Sequence, residues 1–497
     1  MAVDWVSRAQ NAKLQVRDFV GGRWAPETGG ALLEKHSPRD GALLCRFGSK
    51  DPRAVDEVVQ NTKQSFEDGR WWKVPVQERK EVLYRLAALI GRQREEFALL
   101  ECLDVGKPIR DALNFDALAA AEQIRFFAEA ADKTYGKVFG VDPSSLSYQL
   151  RRPIGVVAGI VGWNFPLLLA VQKIAPALAS GNSIILKPSE LTSFSAARVA
   201  ELALEAGVPE GVLNVIHGGP AVGLVLAQHR DVNLISFTGS TATGKRLLIA
   251  AGESNMKRLV LECGGKAPNI VFDDSPNLEA VAEVVVGQAF RNQGEVCSAS
   301  SRLLLQRSVA REFLQLLVGK ASLWKPGDPL KEDTRFGAMV SQAHKQKVLG
   351  YIQRGQQEGA TVAYCSDSSA PHAQGFYVGP VIFSDVTPAH TIAQEEIFGP
   401  VLSVLTFDDE DDAVRMANST IYGLTATLWT RDLARAHRVS YGIKAGAVAV
   451  NATATPQGGP GAGVLTVGGH NQSGLGVEGG TQGLEAYSTE TAVQFFV

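Results

Sequence analysis

Cys297 stands in the run Arg291-Asn292-Gln293-Gly294-Glu295-Val296-Cys297-Ser298, and thirty-five residues before it Glu262 stands in Leu261-Glu262-Cys263-Gly264-Gly265-Lys266. A cysteine among small residues and a glutamate beside glycines are the parts required for a sulfur nucleophile and a general base that activates water. A thiol near its free pKa is mostly protonated at neutral pH, so Cys297 needs its thiolate favoured by nearby donors or by a base. Attack on a carbonyl carbon creates an oxyanion. The uncharged amide of Asn164, in Gly162-Trp163-Asn164-Phe165-Pro166, and the backbone N–H of Cys297 suit that oxygen, and one such donor contributes on the order of 3 kcal/mol. Taken singly, these residues read as a buried inert thiol, a strand-end charge and a turn residue; as a set they describe covalent catalysis.

The elements that must carry these residues alternate. Phe19 to Trp24 reads as a hairpin, and residues 52–131 carry helical periodicity with charge on one side. From Pro153 onward, short buried runs at 154–161, 183–187, 212–216 and 234–237 are separated by helical patterns at 167–179, 196–206 and 222–228, the signature of a wound parallel α/β sheet. A second alternating series starts after Gly265, with strands at 267–272 and 301–305. Segments 147–150 and 491–497 read as exposed strands in need of partners, which points to oligomerisation. Gly458 to Gly463 reads as an irregular loop.

Phe237-Thr238-Gly239-Ser240-Thr241-Ala242-Thr243-Gly244-Lys245 follows a strand and opens a helix, which leaves backbone N–H groups where a pyrophosphate binds; a plain turn with Ser240 as helix cap explains it equally well. Gly218-Gly219-Pro220 reads as a turn. Lys187-Pro188-Ser189-Glu190 places a cation and a carboxylate at the carboxyl edge of the sheet, where Glu190 would bind ribose hydroxyls and repel a 2′-phosphate, favouring NAD over NADP; a surface charge pair is the alternative.

With Gly162-Trp163-Asn164-Phe165-Pro166, Lys187-Pro188-Ser189-Glu190, Phe237-Thr238-Gly239-Ser240, Glu262-Cys263-Gly264-Gly265-Lys266, Gly294-Glu295-Val296-Cys297 and Glu395-Glu396-Ile397-Phe398-Gly399-Pro400 in this order, the chain resembles the aldehyde dehydrogenase superfamily over nearly its whole length. In flavour it is similar to the bacterial enzymes that oxidise γ-glutamylaminobutyraldehyde and related aminoaldehydes. The resemblance implies an α/β fold of three parts. These are a Rossmann-like NAD-binding domain (1–130 and 154–264), an α/β catalytic domain (265–470) and a small β oligomerisation arm (131–153 and 471–497), assembled as a homodimer or homotetramer. It implies that Cys297 forms a thiohemiacetal with an aldehyde, that hydride passes to NAD, and that water activated by Glu262 releases the acid from a thioester. Lys173 and Glu478 match an ion pair or proton route near Glu262. Glu396 matches the nicotinamide-ribose ligand, Phe398 packs near the ring, and Trp163, Lys187, Ser189, Gly239, Ser240 and Gly264 complete the cofactor side. Phe165, Leu169, Gln172, Arg291 and Val296 fall in the substrate pocket.

The departures concern specificity. Gly162 replaces a usual proline and loosens the turn that aims Asn164. Gln172 and Arg291 stand where many relatives carry aromatics, which favours a polar or carboxylate-bearing aldehyde if Arg291 faces inward; turned into solvent it has no such role. Thr466 to Gly474 replaces a compact P-F-G-G-x-K-x-S-G segment, with Asn471 for the lysine, and the long glycine-rich loop before it should border the substrate entrance. A coenzyme-A-acylating relative is disfavoured by the presence of Glu262, and a catalytically idle structural member by the intact Cys297, Glu262 and Asn164.

The totals agree with a small-molecule enzyme. At 497 residues and 45% hydrophobic the chain buries a large core in two or three domains, and a net charge of -3 gives no general pull toward nucleic acid or acidic membranes. Eight histidines show no ligand spacing, so no metal is expected. Five separate cysteines suggest a reducing compartment, with Cys45, Cys102, Cys263 and Cys365 as small packing residues. The polar N-terminus lacks a signal-peptide core, so the expected location is cytoplasmic.

Overall fold

The computed structural model describes residues 3–25, 30–140, 142–367, 369–452 and 463–496. Its largest sheet has eight strands. Five of them are parallel and lie in the spatial order Arg258–Glu262, Leu234–Thr238, Val156–Ile160, Ser183–Lys187, Leu213–Val215. They are the continuous apolar runs of the sequence, and they are buried because helices cover both faces. One face packs against a core that includes Leu83, Leu86, Phe127, Leu178 and Leu186, and the other against Val55, Val59, Ile216 and Leu247. The hairpin Phe19–Val20 with Arg23–Trp24 closes one edge.

The chain runs outward from Val156–Ile160 through Ser183–Lys187 to Leu213–Val215. It then returns to lay Leu234–Thr238 on the opposite side of Val156–Ile160, with Phe237 beside Ile160. A reversal of this kind opens a crevice at the carboxyl ends of the two central strands. Residues 161–164 and 238–240 emerge into that crevice.

The second sheet has seven strands in the order Thr361–Cys365, Val381–Ser384, Val401–Phe407, Arg302–Gln306, Pro268–Val271, Thr425–Trp429, Ala447–Val450, all parallel except the first. It has its own core on each face, built around Phe383, Ile392 and Leu405 and around Val285, Phe290 and Leu317. A third sheet pairs Ser488–Phe496 antiparallel with Ser145–Pro153, which also pairs Lys137–Phe139. Val138, Leu146, Phe495 and Phe496 are exposed on it.

The C-terminal segment from 471 does not belong entirely to this third sheet. Gly474–Leu475 extends the eight-stranded sheet beside Arg258–Glu262, and Leu484 and Tyr487 are buried in that sheet's core. Burial of these two side chains draws 474–487 onto the eight-stranded sheet, so that only 488–496 contributes a strand to the three-stranded sheet. Among the described residues, no helix is long and apolar enough to cross a membrane. Of the glycine-rich stretch 458–463, only Gly463 lies within the described residues.

Candidate active site

The crevice is a cleft of about 1360 Å³. That exceeds the few hundred to about 1,000 Å³ typical of a single small ligand and leaves room for a dinucleotide and a second molecule. Its walls carry every predicted site residue except Lys173: Asn164, Glu262, Cys297 and Glu478; Trp163, Lys187, Ser189, Glu190, Gly239, Ser240, Gly264, Glu396 and Phe398; and Phe165, Leu169, Gln172, Arg291 and Val296. Lys173 is buried behind the wall and forms an ion pair with Glu478.

Cys297 follows a strained turn. Asn292, Gln293 and Gly294 have φ of 49°, 58° and 71°, three consecutive left-handed residues. Each non-glycine residue there costs on the order of 1–3 kcal/mol and persists only where its surroundings hold it. They do: Gln293 Oε1 accepts the Gly337 N–H at 3.1 Å, Glu295 Oε1 accepts the Val340 N–H at 3.0 Å, and a Cβ on Gly294 would lie 2.4 Å from the Gly399 oxygen. Asn292 Nδ2 donates to the carbonyl of Asn164 at 3.1 Å, which ties this turn to the end of the first sheet.

Asn164 is buried, and its Nδ2 donates to the Glu295 carbonyl at 2.9 Å, fixing the amide plane while leaving a second N–H. The loosening expected from Gly162 is offset by neighbours. Gly162 has no positive φ, and a Cβ there would meet nothing closer than 3.5 Å, so no local geometry requires glycine. Trp163 is held edge-on by Phe398 and His344, at 5.0 and 5.1 Å between ring centroids, and Pro166 opens the helix Pro166–Ala179 at its first turn.

The sulfur is not a resting thiolate. Burial, then the carboxyls of Glu396 and Glu262, push the Cys297 thiol up to about 12, and the backbone N–H groups of Ser298 and Cys297 offset only part of this. Glu262 ends the strand Arg258–Glu262. Burial and the neighbouring Glu478 hold its carboxyl well above the usual range, with Lys173 pulling the other way. One carboxyl oxygen of Glu262 has no hydrogen-bond partner. A buried acid with a free oxygen facing a cleft is suited to take a proton from water.

The cofactor half of the cleft fits NAD on its own geometry. The helix Thr241–Ser254 starts at Ser240, whose side chain accepts the Thr243 N–H, so the capping explanation of Ser240 holds, and the Gly239 N–H is donated to the Glu262 carbonyl at 3.0 Å. The Thr238 hydroxyl is buried without a partner at this mouth. Lys187 is buried, and its Nζ lies 3.5 Å from Glu190 Oε2, so the pair sits at the sheet edge as one unit. Glu396 Oε1 accepts the Gly265 N–H at 2.9 Å, and a Cβ on Gly264 would lie 2.3 Å from Glu396 Oε2, so glycine is what lets this carboxylate reach the cleft.

Arg291 does not turn outward. Its guanidinium lies 4.1 Å from the centre of the Phe115 ring, and both line the cleft with Gln172. Phe115 has no marker in the sequence; it is carried by a π-helical turn, Ala112–Asp116. His344 was also missed. Burial lowers it to about 4, so it is neutral, and its Nε2 donates to the Phe398 carbonyl at 2.7 Å. The Gly218-Gly219-Pro220 turn proved to matter more than expected: Pro220, Ala221, Gly223 and Leu224 line the cleft. Proline at the first turn of a helix after a strand is the signal that marks it. Asn471, replacing the usual lysine, is exposed and donates to the Tyr422 carbonyl at 3.3 Å outside the cleft, while Val464 and Val467 reach its wall. Of the cysteines read as packing residues, Cys102 and Cys263 are buried, but Cys365 is exposed because its strand lies at a sheet edge.

Residues 24–493 match the model of the aldehyde dehydrogenase family. The chain is 44% identical over 487 residues to the NADP/NAD-dependent aldehyde dehydrogenase PuuC of Escherichia coli K12, covering 97% of this chain and 96% of that protein. An indole-3-acetaldehyde dehydrogenase solved with NAD+ superposes with a TM-score of 0.96 at 43% identity, covering 99% of both chains. The γ-glutamyl-γ-aminobutyraldehyde dehydrogenase of Burkholderia cenocepacia J2315 superposes with a TM-score of 0.96 at 42% identity, again covering 99% of both. The fold, the cleft and these matches place this chain in the aldehyde dehydrogenase family. It is an α/β oxidoreductase with the nucleotide-binding and catalytic domains of that family.

Proposed function

We propose that the protein oxidises a polar aldehyde, an aminoaldehyde or a semialdehyde, to its carboxylic acid with NAD as the oxidant. The observation that carries the reading is the convergence of Cys297, Glu262 and Asn164 on one cleft that also holds the helix start at Ser240 and the Lys187–Glu190 pair.

Cys297 Sγ, on losing its proton, bonds to the aldehyde carbon, and the carbonyl oxygen becomes an anion received by Asn164 Nδ2 and the Cys297 N–H. NAD supplies the acceptor for the hydride lost from that carbon, and the residues that would hold it are Lys187, Ser189, Glu190, Gly239, Ser240, Trp163, Gly264, Glu396 and Phe398. The acyl group then remains on sulfur as a thioester. Glu262 takes a proton from water, which attacks the thioester and releases the acid and the thiol. Lys173 and Glu478 bear on the proton affinity of Glu262. Arg291, Gln172, Phe165, Leu169 and Val296 shape the aldehyde pocket, and the inward guanidinium supports substrates with a carboxylate or another acceptor at the far end.

The exposed apolar side chains on the three-stranded sheet support a homodimer or homotetramer, to be measured by light scattering. The five free cysteines agree with a reducing, cytoplasmic setting. The central test is NADH formation across a panel of aminoaldehydes, semialdehydes and unsubstituted aldehydes. Activity should favour the polar members and vanish in Cys297→Ala, with an acyl adduct on Cys297 found by mass spectrometry of the quenched native enzyme. Full activity in Cys297→Ala overturns the reading.

A further inference from the structure

Beneath the aldehyde pocket lies a buried ionic cluster that the reaction does not use. Lys107 is 2% exposed, and its Nζ lies 3.0 Å from Asp116 Oδ2 and 3.4 Å from Glu101 Oε2, with both carboxyls also buried. Glu101 Oε1 accepts the Leu167 N–H at 3.0 Å and the Ser195 hydroxyl at 2.6 Å, so one end of the cluster grips the first turn of the helix that follows Asn164. The other end, Asp116, belongs to the π-helical turn that carries Phe115. π-Turns inside helices tend to mark functional sites because they displace one side chain out of the regular register.

The cluster faces the pocket through two rings. Lys107 Nζ lies 4.2 Å from the centre of the Phe165 ring, Phe165 meets Phe115 edge-on at 6.2 Å, and Arg291 lies over Phe115 at 4.1 Å. Two aromatic rings are thus held between two cations, one buried and one lining the cleft. Asp116 is the element in tension. Its Oδ1 has no hydrogen-bond partner, and it directly follows Phe115, the ring on which Arg291 lies. The one buried ammonium serves two buried carboxylates, so the pairing of Asp116 with Lys107 decides whether Arg291, on the cleft wall, faces a neutralised neighbour or an uncompensated anion.

We propose that Lys107 is a positioning and specificity residue that, by neutralising Asp116, keeps the Arg291 guanidinium stacked on Phe115 and available to a polar or anionic substrate end. Without the ammonium, Asp116 loses its ion-pair partner, competes for Arg291 and withdraws it from the pocket. This rests on the reading that Arg291 selects polar aldehydes, and it adds the group that keeps Arg291 selective.

The test uses the full-length enzyme with NAD and two aldehydes of similar length, succinic semialdehyde and butanal, and follows the ratio of their kcat/KM values. Arg291→Gln is measured first and should lower the ratio about tenfold or more, mostly through KM for the semialdehyde, as expected for a lost charge-assisted contact. Lys107→Met should lower it by a similar factor. The double variant Lys107→Met with Asp116→Asn removes the competing anion and should restore most of the ratio. A cavity or misfolding effect would not be reversed in this way, because the second change adds no packing. Should Lys107→Met fail to fold, Asp116→Asn alone, with Lys107 retained, serves as the second variant. It should hold or raise the ratio, and a fall would overturn the proposal. If Arg291→Gln lowers the ratio but Lys107→Met does not, or the double variant stays as low as the single, the inference about Lys107 fails while the polar-aldehyde reading stands. If Arg291→Gln leaves the ratio unchanged, both fail.

Discussion

Glu262 should set the pH dependence of turnover. Burial and the adjacent Glu478 hold its carboxyl well above the usual carboxylate range, and Lys173, already paired with Glu478, is the one cation that lowers it. The acid form dominates at low pH, and the base that activates water is populated only as pH rises through the raised value. Below that value, each pH unit removes about tenfold of the base form, the equivalent of about 1.4 kcal/mol. When thioester hydrolysis limits turnover, kcat therefore climbs with a slope of one in log kcat against pH and then levels. Glu262→Gln keeps the shape but cannot take a proton; kcat should drop about 10²–10⁴-fold and lose that limb. NADH should still appear in a rapid burst of one equivalent per active site, because acylation precedes the step that needs Glu262. Lys173→Met removes the cation that favours the charged form, and the limb should move to higher pH. Stopped-flow absorbance for the burst and steady-state rates from pH 6 to 10 supply both readouts. A Glu262→Gln enzyme with the same limb and an undiminished steady state would refute the assignment of the base.

Asn164→Ala should lower kcat about 10²–10³-fold, the usual loss for one oxyanion donor. Asn292→Ala, which frees the Asn164 carbonyl and the turn before Cys297, should cost about tenfold with Asn164 intact, read by the same assay. Glu190→Ala removes the carboxylate proposed to meet the cofactor ribose and should shift the ratio of kcat/KM for NAD over NADP about tenfold toward NADP; no shift would place Glu190 outside the ribose site. With the Cys297 thiol pushed up to about 12 by burial and by Glu396 and Glu262, iodoacetamide labelling of the cofactor-free enzyme should rise about tenfold per pH unit from pH 7 to 10. A plateau near pH 8 in the mass-spectrometric labelling rate would contradict the neutral resting thiol.

What the sequence discloses is what repeats locally. The apolar runs between 154 and 237 need burial on both faces, so strand, helix and wound sheet follow from their pattern, and the reversal of strand order then puts Gly162–Asn164 and Gly239–Ser240 at one crevice. Cys297, Glu262 and Asn164 were legible because their residue types and neighbours are unusual for plain packing. Phe115 and His344 were not, because each is placed by contacts with distant segments: Phe115 by Arg291 and Phe165, His344 by Phe398 and Trp163. The inward direction of Arg291 was undecidable from spacing for the same reason, since its partner lies 176 positions away in the π-helical turn Ala112–Asp116. The local run suggests donors near sulfur, but the acids that oppose ionisation, Glu396 and Glu262, come from two other segments.

The same long-range contacts explain why the nucleophile can sit on an unfavourable backbone. Three left-handed residues in succession would relax in an isolated loop, and the bonds that prevent it arrive from Gly337, Val340 and Asn164. Asn164 belongs to the first sheet's crevice, and Gly337 and Val340 to a segment that is itself docked by Ala338 N–H onto the Gly106 carbonyl. The turn before Cys297 is therefore held correctly only when the two large sheets are assembled against each other. Cationic side chains take little part in this. Lys173 is committed to Glu478, and Lys107 to Glu101 and Asp116, so neutral donors remain to meet charge that develops at the aldehyde oxygen. Neutral, preorganised donors stabilise that transient charge without binding the uncharged aldehyde equally tightly, which is the condition for lowering a barrier rather than a KM.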